Sequence, residues 1–299
     1  MTTMPTLSSR MTAVILILVT AAMFAAAWFL PHMGSQGISP GWVYVMVMGL
    51  MILFMAVTGI RISGRPAGIL INERNIMSLA RFQIVLWTII ILSAFLTAAV
   101  LRIYSGISNA LAIGLDEKLW ALLGISTASL IGSPLLQSPK KVQVPKEEEV
   151  NKAKGALNET SIETQGLLYR NPTIADAAFS DMFEGDEVSN TAYIDVAKTQ
   201  MFFFTVVAAL SYSIDLTKWI SGTSVTATDA AFPLVSSGLV AILGISHAGF
   251  LTGASTTHTP TDDKKLPAPA PVVPAPVAPA PVAPAPVAPA PVVPAPAAG

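Results

Sequence analysis

Seven polar side chains lie inside or at the margins of long apolar stretches of this 299-residue chain: Gln83, Thr88, Ser126, Gln200, Thr205, Ser246 and His247. Polar groups are costly in hydrocarbon and face a partner or a wet cavity when they occur there. Two chemistries suit them. They could line a path or a solute pocket, or they could tie helix to helix by hydrogen bonds worth about 0.6 kcal/mol each on average. His247 is the only histidine within such a stretch. Because imidazole titrates near neutral pH, a proton-sensing role would reside there.

Other reactive patterns are missing from the sequence. It has no glycine-rich phosphate loop, no His-Glu-x-x-His and no Gly-x-Ser-x-Gly elbow. The absence of cysteine excludes disulfides, thiolate metal sites and thiol nucleophiles. His32, His247 and His258 are too dispersed to suggest a histidine metal centre. The expectation is a non-enzymatic chain without a metal or other cofactor. A net charge of −1 offers no electrostatic footprint for nucleic acid.

The elements that position these residues follow from hydropathy. Charged residues make up 12% of the chain, against roughly 25% in a soluble domain. Discounting the uncharged tail leaves the deficit in place, which excludes a soluble globular enzyme and a disordered charged factor. About 20 apolar residues are needed to cross a bilayer as a helix. Six stretches meet or approach that length, near 11–30, 42–60, 82–101, 119–136, 199–216 and 233–253. The predicted fold is therefore an all-α integral membrane protein with about six transmembrane helices. The first stretch, preceded by Arg10, also reads as a signal peptide with Ala25–Ala27 as a cleavage site; its apolar run is long for that role.

Charge places the loops. Fourteen of the 17 Lys and Arg residues fall on one side of the predicted spans, and Arg102, Lys118 and Lys218 on the other. By the positive-inside rule both termini are cytoplasmic, in what would be a bacterial inner membrane. Trp28, Trp42, Tyr44, Tyr104, Trp120 and Trp219 fall at the predicted outer ends, where amphipathic rings prefer to sit.

Self-comparison suggests a duplication. Ser78-Leu-Ala-Arg-Phe-Gln83 and Thr88 align with Asp195-Val-Ala-Lys-Thr-Gln200 and Thr205 at an offset of 117. Ala121-Leu-Leu-Gly-Ile-Ser-Thr-Ala128 matches Ala241-Ile-Leu-Gly-Ile-Ser-His-Ala248 at six of eight positions, offset by 120. Two ordered matches at nearly equal spacing predict a duplicated, parallel two-helix hairpin, an arrangement many transporters use and a bundle can use without transporting anything. Ser78 and Asp195 suit helix N-caps. The small residues Gly124, Ala128 and Gly132, with Gly244, Ala248, Gly249 and Gly253, are predicted to let helix backbones pack closely.

Five regions result: an N-terminal hairpin (1–60), a first hairpin copy with a basic loop (61–136), a hydrophilic connection (137–194), a second copy (195–255) and a Pro/Ala/Val tail (256–299). The basic loop with Arg61, Arg65, Arg74 and Arg81 could anchor topology, meet anionic lipid or dock a partner. Within the connection, 146–154 reads as a solvated segment, and 172–185 as an amphipathic helix running from Pro172 to a cap at Gly185. Its acids, Asp176, Asp181, Glu184, Asp186 and Glu187, miss the EF-hand spacing. The tail repeats Pro-Ala-Pro-Val-Ala from Pro269 and predicts a disordered, polyproline II-like spacer, with Pro-x-x-Pro spacings such as Pro271 to Pro274 that aromatic grooves can read.

Two functions fit this plan. One is an oligomeric bundle, expected as a homo-oligomer in the lipid bilayer, that passes or binds a small solute or ion. The other is a non-transporting scaffold that holds a cytoplasmic protein through the acidic connection and the tail. A wet pocket or path between the hairpins favours the first. A sealed interior with an ordered cytoplasmic face favours the second.

Overall fold

The computed structural model describes residues 8–32 and 37–265. The repetitive tail, with its Pro271–Pro274 spacing, and the His32 side chain lie outside the described residues. Helices dominate. In order they are α1 (Ser9–Phe29), α2 (Pro40–Ser63), α3 (Leu79–Tyr104), α4 (Glu117–Gln137), α5 (Glu147–Leu157), α6 (Val196–Ser221) and α7 (Ser237–Ser255). All but α5 are long and apolar enough to cross a membrane, so the chain is a multi-pass, predominantly helical membrane protein.

α3, α4, α7 and α6 form a ring of four packed helices. α2 packs on α3 and α6, and α1 packs on α2 and α3 from outside. Within the ring α4 runs parallel to α7: Ile125 lies against Gly244, Ser129 against His247 and Leu251 against Gly132. Gln83 and Trp87 of α3 meet Thr205 and Tyr212 of α6 in the same sense. The core of the ring is apolar, built on Tyr44, Trp87, Ala94, Ala98, Leu119, Leu122, Ala208, Tyr212 and Leu216. The alanines bring α3 and α6 close, and the rings fill the wider levels.

Local capping starts the two matched helices as the sequence implies. The Ser78 side chain accepts the Arg81 amide at the head of α3, and that of Asp195 accepts the Lys198 amide at the head of α6. α2 meets the far end of α6 through Gly41, whose amide donates to Ser221 Oγ at 3.1 Å. A side chain at Gly41 would collide with Ser221 and Thr217.

The hydrophilic segments fold into a cap at one end of the bundle, where α2, α4 and α7 finish and α3 and α6 begin. β1 (Gln143–Pro145) pairs antiparallel with β4 (Thr261–Lys265), and β2 (Glu163–Gln165) with β3 (Leu168–Arg170). Two expectations change here. Residues 147–157 form α5, with three acids in the first turn, Lys152 bridging Glu148 and Glu149, and Asn158 ending it in the left-handed region. The predicted helix over 172–185 is instead two short 3-10 turns, Ile174–Asp176 and Phe179–Phe183. Asp176 bonds back to Thr173, and Asp181 accepts the amides of Ala178 and Met77. Those acids bind the backbone locally and across the cap, which competes with a continuous helical ladder. Residues 256–265, grouped with the tail by composition, are ordered and carry β4.

The small-residue stripe also turns out differently. Ala128, Gly249 and Gly253 are exposed, and space is open around Gly124, Gly249 and Gly253. Ala248 is exposed as well, while Gly132 and Gly244 only touch Leu251 and Ile125. The α4–α7 contact instead uses Ser126, Ser129 and Ser133 facing Ser246, His247 and Phe250, all buried. Serine is nearly as small as alanine, so it permits the same approach and adds a hydroxyl. Gly41→Leu should wedge α2 from α6 and lower stability by roughly 1–3 kcal/mol, read as a fall in melting temperature in detergent, with Gly49→Leu, whose site is open, as the unaffected control.

Candidate functional site

The charged residues of the cap converge on two neighbouring acids. Asp186 receives Arg74 Nη2 on one oxygen at 2.6 Å and Lys198 Nζ on the other at 3.0 Å. Gln137 Nε2, from the last residue of α4, also donates to Asp186 Oδ2 at 3.0 Å. Arg74 further donates to the Tyr169 and Asp186 carbonyls. Glu187 receives the Lys140 ammonium at 2.7 Å, and its second oxygen accepts the amides of His258 and Thr259. Lys140 in turn donates to the carbonyls of Ala254 and Thr256 just where α7 ends. Through two adjacent carboxylates, the entry to α3, the exit of α4, the head of α6 and the exit of α7 are held together.

A third acid completes the cap. Asp181 Oδ2 accepts from Met77 N at 3.0 Å, Ala178 N at 3.0 Å and Asn171 Nδ2 at 3.3 Å. Asn75 and Asn171 each donate a side-chain amide to the other's carbonyl at 2.9 Å. Electrostatics separate the two aspartates. Burial would raise the Asp186 carboxyl, but Lys198 and Arg74 outweigh it and hold it well below the usual carboxylate range. At Asp181 burial prevails over its hydrogen bonds, and the carboxyl is pushed up. The Tyr169 phenol, buried near several acids, is pushed up to about 12, mainly by burial.

Below the cap, the structure gathers some of the intramembrane polar residues and separates others. Gln83 Nε2 donates to Thr205 Oγ1 at 2.6 Å, and Ser129 Oγ shares a hydrogen with His247 Nδ1 at 2.6 Å. Ser126 and Ser246 are buried on the α4–α7 contact. Gln83 Oε1 and Ser246 Oγ are buried without a hydrogen-bond partner among the described residues. Thr88 turns back to the Ile84 carbonyl of its own helix, and Gln200 is exposed. The matched positions therefore do different things: Gln83 pairs with Thr205, whereas their counterparts Gln200 and Thr88 stay apart.

At the opposite end a residue that the sequence shows only as a loop cation proves structural. Arg102 is fully buried at the end of α3. Its guanidinium donates to Ala110 and Asn109 in the loop after α3 and to Val225 and Ala227 in the loop after α6. Those two loops also pair through Gly114 and Ala231. The planar fork of donors matches several carbonyls at once, which no lysine could do. A single arginine at a span end, next to glycine- and serine-rich loops, was the available signal.

Comparison with protein-family models, with curated proteins and with solved structures finds no match.

Asp186→Ala should leave Arg74 and Lys198 buried without their carboxylate and cost about 3–5 kcal/mol, measured by thermal unfolding of the purified protein. Because the folded-state pKa of Asp186 is depressed, its contribution is complete above the unfolded value near 3.9 and fades only as pH falls through the lower folded value. Unfolding midpoints should therefore drop on acidification below about pH 4, and Asp186→Asn should flatten that dependence. Arg102→Lys should lower stability by about 1–3 kcal/mol through the unpaired carbonyls, with amide exchange in residues 105–116 and 222–236 rising together.

Proposed function

We propose that this protein is a non-catalytic, non-transporting membrane scaffold whose six spans hold a rigid cytoplasmic cap. The observation that carries the reading is the apolar core of the helix ring beneath the folded cap. Trp87, Leu119, Leu122, Tyr212 and Leu216 of the ring, with Tyr44 of α2, belong to one buried apolar cluster. The buried polar residues of the bundle include the Gln83–Thr205 and Ser129–His247 pairs, the serines of the α4–α7 contact, and Ser93 and Thr97 of α3, which bond Met51 Sδ and the Ser93 carbonyl. In this reading the pairs register one helix against the next, as interhelical hydrogen bonds do in lipid.

The cap faces the cytoplasm of a bacterial inner membrane, on the side the lysine and arginine distribution favours. α5 packs little against the rest of the fold and presents its acidic and basic side chains to solvent. In this reading α5 offers a surface to a cytoplasmic protein, and the Pro-x-x-Pro spacings of the tail sequence offer such a protein a second point of recognition. Gly124, Ala128, Gly249 and Gly253 face away from the ring, which supports self-association of copies through α4 and α7.

Reconstitution into liposomes tests the central point. Potassium, chloride, protons and small neutral or zwitterionic solutes should cross at the rate of protein-free vesicles, before and after His247→Ala. A saturable flux that the variant abolishes would overturn the scaffold reading in favour of permeation.

A further inference from the structure

A cavity of about 100 Å³ lies where the cap meets the bundle. One wall is the head of α3, with Ser78, Leu79, Ala80 and Arg81; the facing wall is the last two turns of α4, with Leu130, Ser133, Pro134 and Gln137. We propose that this cavity binds a compact carboxylate that also carries a hydroxyl or ammonium group.

The α3 wall attracts the carboxylate. The amides of Leu79 and Ala80 are at the first turn of a 26-residue helix and have no acceptor within it. The helix dipole adds positive potential at that point. Arg81 donates one Nη to the Ile71 carbonyl at 2.8 Å and forms no ion pair among the described residues. Arg74 and Lys198, also lining the cavity, share the single carboxylate of Asp186. The other acids lining it are already engaged: Glu73 by Lys141 at 3.4 Å, and Asp181 by two amides and Asn171. Counting Lys141 on Glu73, the four cations Arg74, Arg81, Lys141 and Lys198 meet the three acids Glu73, Asp181 and Asp186, which leaves the site complementary to an anion.

The α4 wall accepts hydrogen bonds. Pro134 has no N–H, so the Leu130 carbonyl loses its i+4 donor inside the helix. Ser133 is 9% exposed, and its hydroxyl has no hydrogen-bond partner among the described residues. Gln137 spends its Nε2 on Asp186 and keeps Oε1 as an acceptor. A ligand anchored by its carboxylate at α3 would therefore face acceptors on the opposite wall, which a hydroxyl or ammonium donor satisfies. The volume suits a molecule of a few heavy atoms, since one water needs only about 10–15 Å³ on the same measure.

Calorimetric titration of the full chain in nanodiscs tests this with glycolate, glycine, acetate and sodium chloride at matched ionic strength. Glycolate or glycine should bind saturably at one site per chain, and whichever binds identifies the donor as hydroxyl or ammonium. Acetate, lacking that donor, should bind about ten-fold more weakly. Ser133→Val should weaken the preferred ligand by about ten-fold, and Arg81→Gln should do so more strongly. If Arg81→Gln fails to fold, Ser133→Val and the acetate comparison still decide the matter. No saturable binding beyond chloride, equal affinity for acetate, or undiminished binding by Ser133→Val would overturn the proposal. It stands apart from the scaffold reading: flux in vesicles would leave it intact, and absent binding would leave the scaffold reading intact.

Discussion

The rest of the fold depends on two consecutive carboxylates, Asp186 and Glu187. The first is bound by Arg74, Lys198 and Gln137, the second by Lys140 and the backbone after α7. Ions taken from water lose several kcal/mol of solvation each, and the loss is recovered only where every oxygen and every N–H finds a partner. Here nearly all do, and the partners come from α4 and α6 and from the segments just before α3 and just after α4 and α7. The consequence is geometric. Helices in lipid gain little from burying apolar faces against one another, because the alternative neighbour is equally apolar. A polar clamp at their ends can therefore set which helices are adjacent when hydrophobicity alone does not.

The clamp also explains why the matched hairpins are not equivalent. Arg81 and Lys198 occupy the same place in the two matched sequences, yet Lys198 joins the Asp186 pair and Arg81 reaches the Ile71 carbonyl. The segment before α3 is short, while the one before α6 supplies all three cap acids. Gln83 meets Thr205 and leaves Gln200 at the surface. Arg102 fastens the far end by the opposite strategy, a buried cation satisfied by carbonyls rather than by an acid.

Between these two fastened ends the interior holds one large apolar cluster, and a polar chamber of about 100 Å³ lies at the joint of cap and bundle. The residues that make the chamber polar, Arg74 and Lys198, are those that hold the cap together, so occupancy there would couple directly to the clamp.

Much of this was legible in the sequence. The six apolar stretches, the N-caps at Ser78 and Asp195, and the position of aromatic residues at the far end all follow from local composition, because transfer into lipid and backbone capping are decided within a few residues. Facing was not legible. A span is apolar all round, so no polar stripe marks its inner side, and the stripe of Gly124, Ala128 and Gly249 looked as suited to packing as the serine face that packs. Nor could spacing show that Asp181 would bind Met77 or that Asp186 would meet Arg74, contacts across roughly a hundred residues of chain. Those pairings cost the 172–185 segment its predicted helix. The chain's composition alone determined that it belongs in a bilayer and where it crosses; which side chains meet was decided only by the fold, because ion pairs depend on distances that no local pattern encodes.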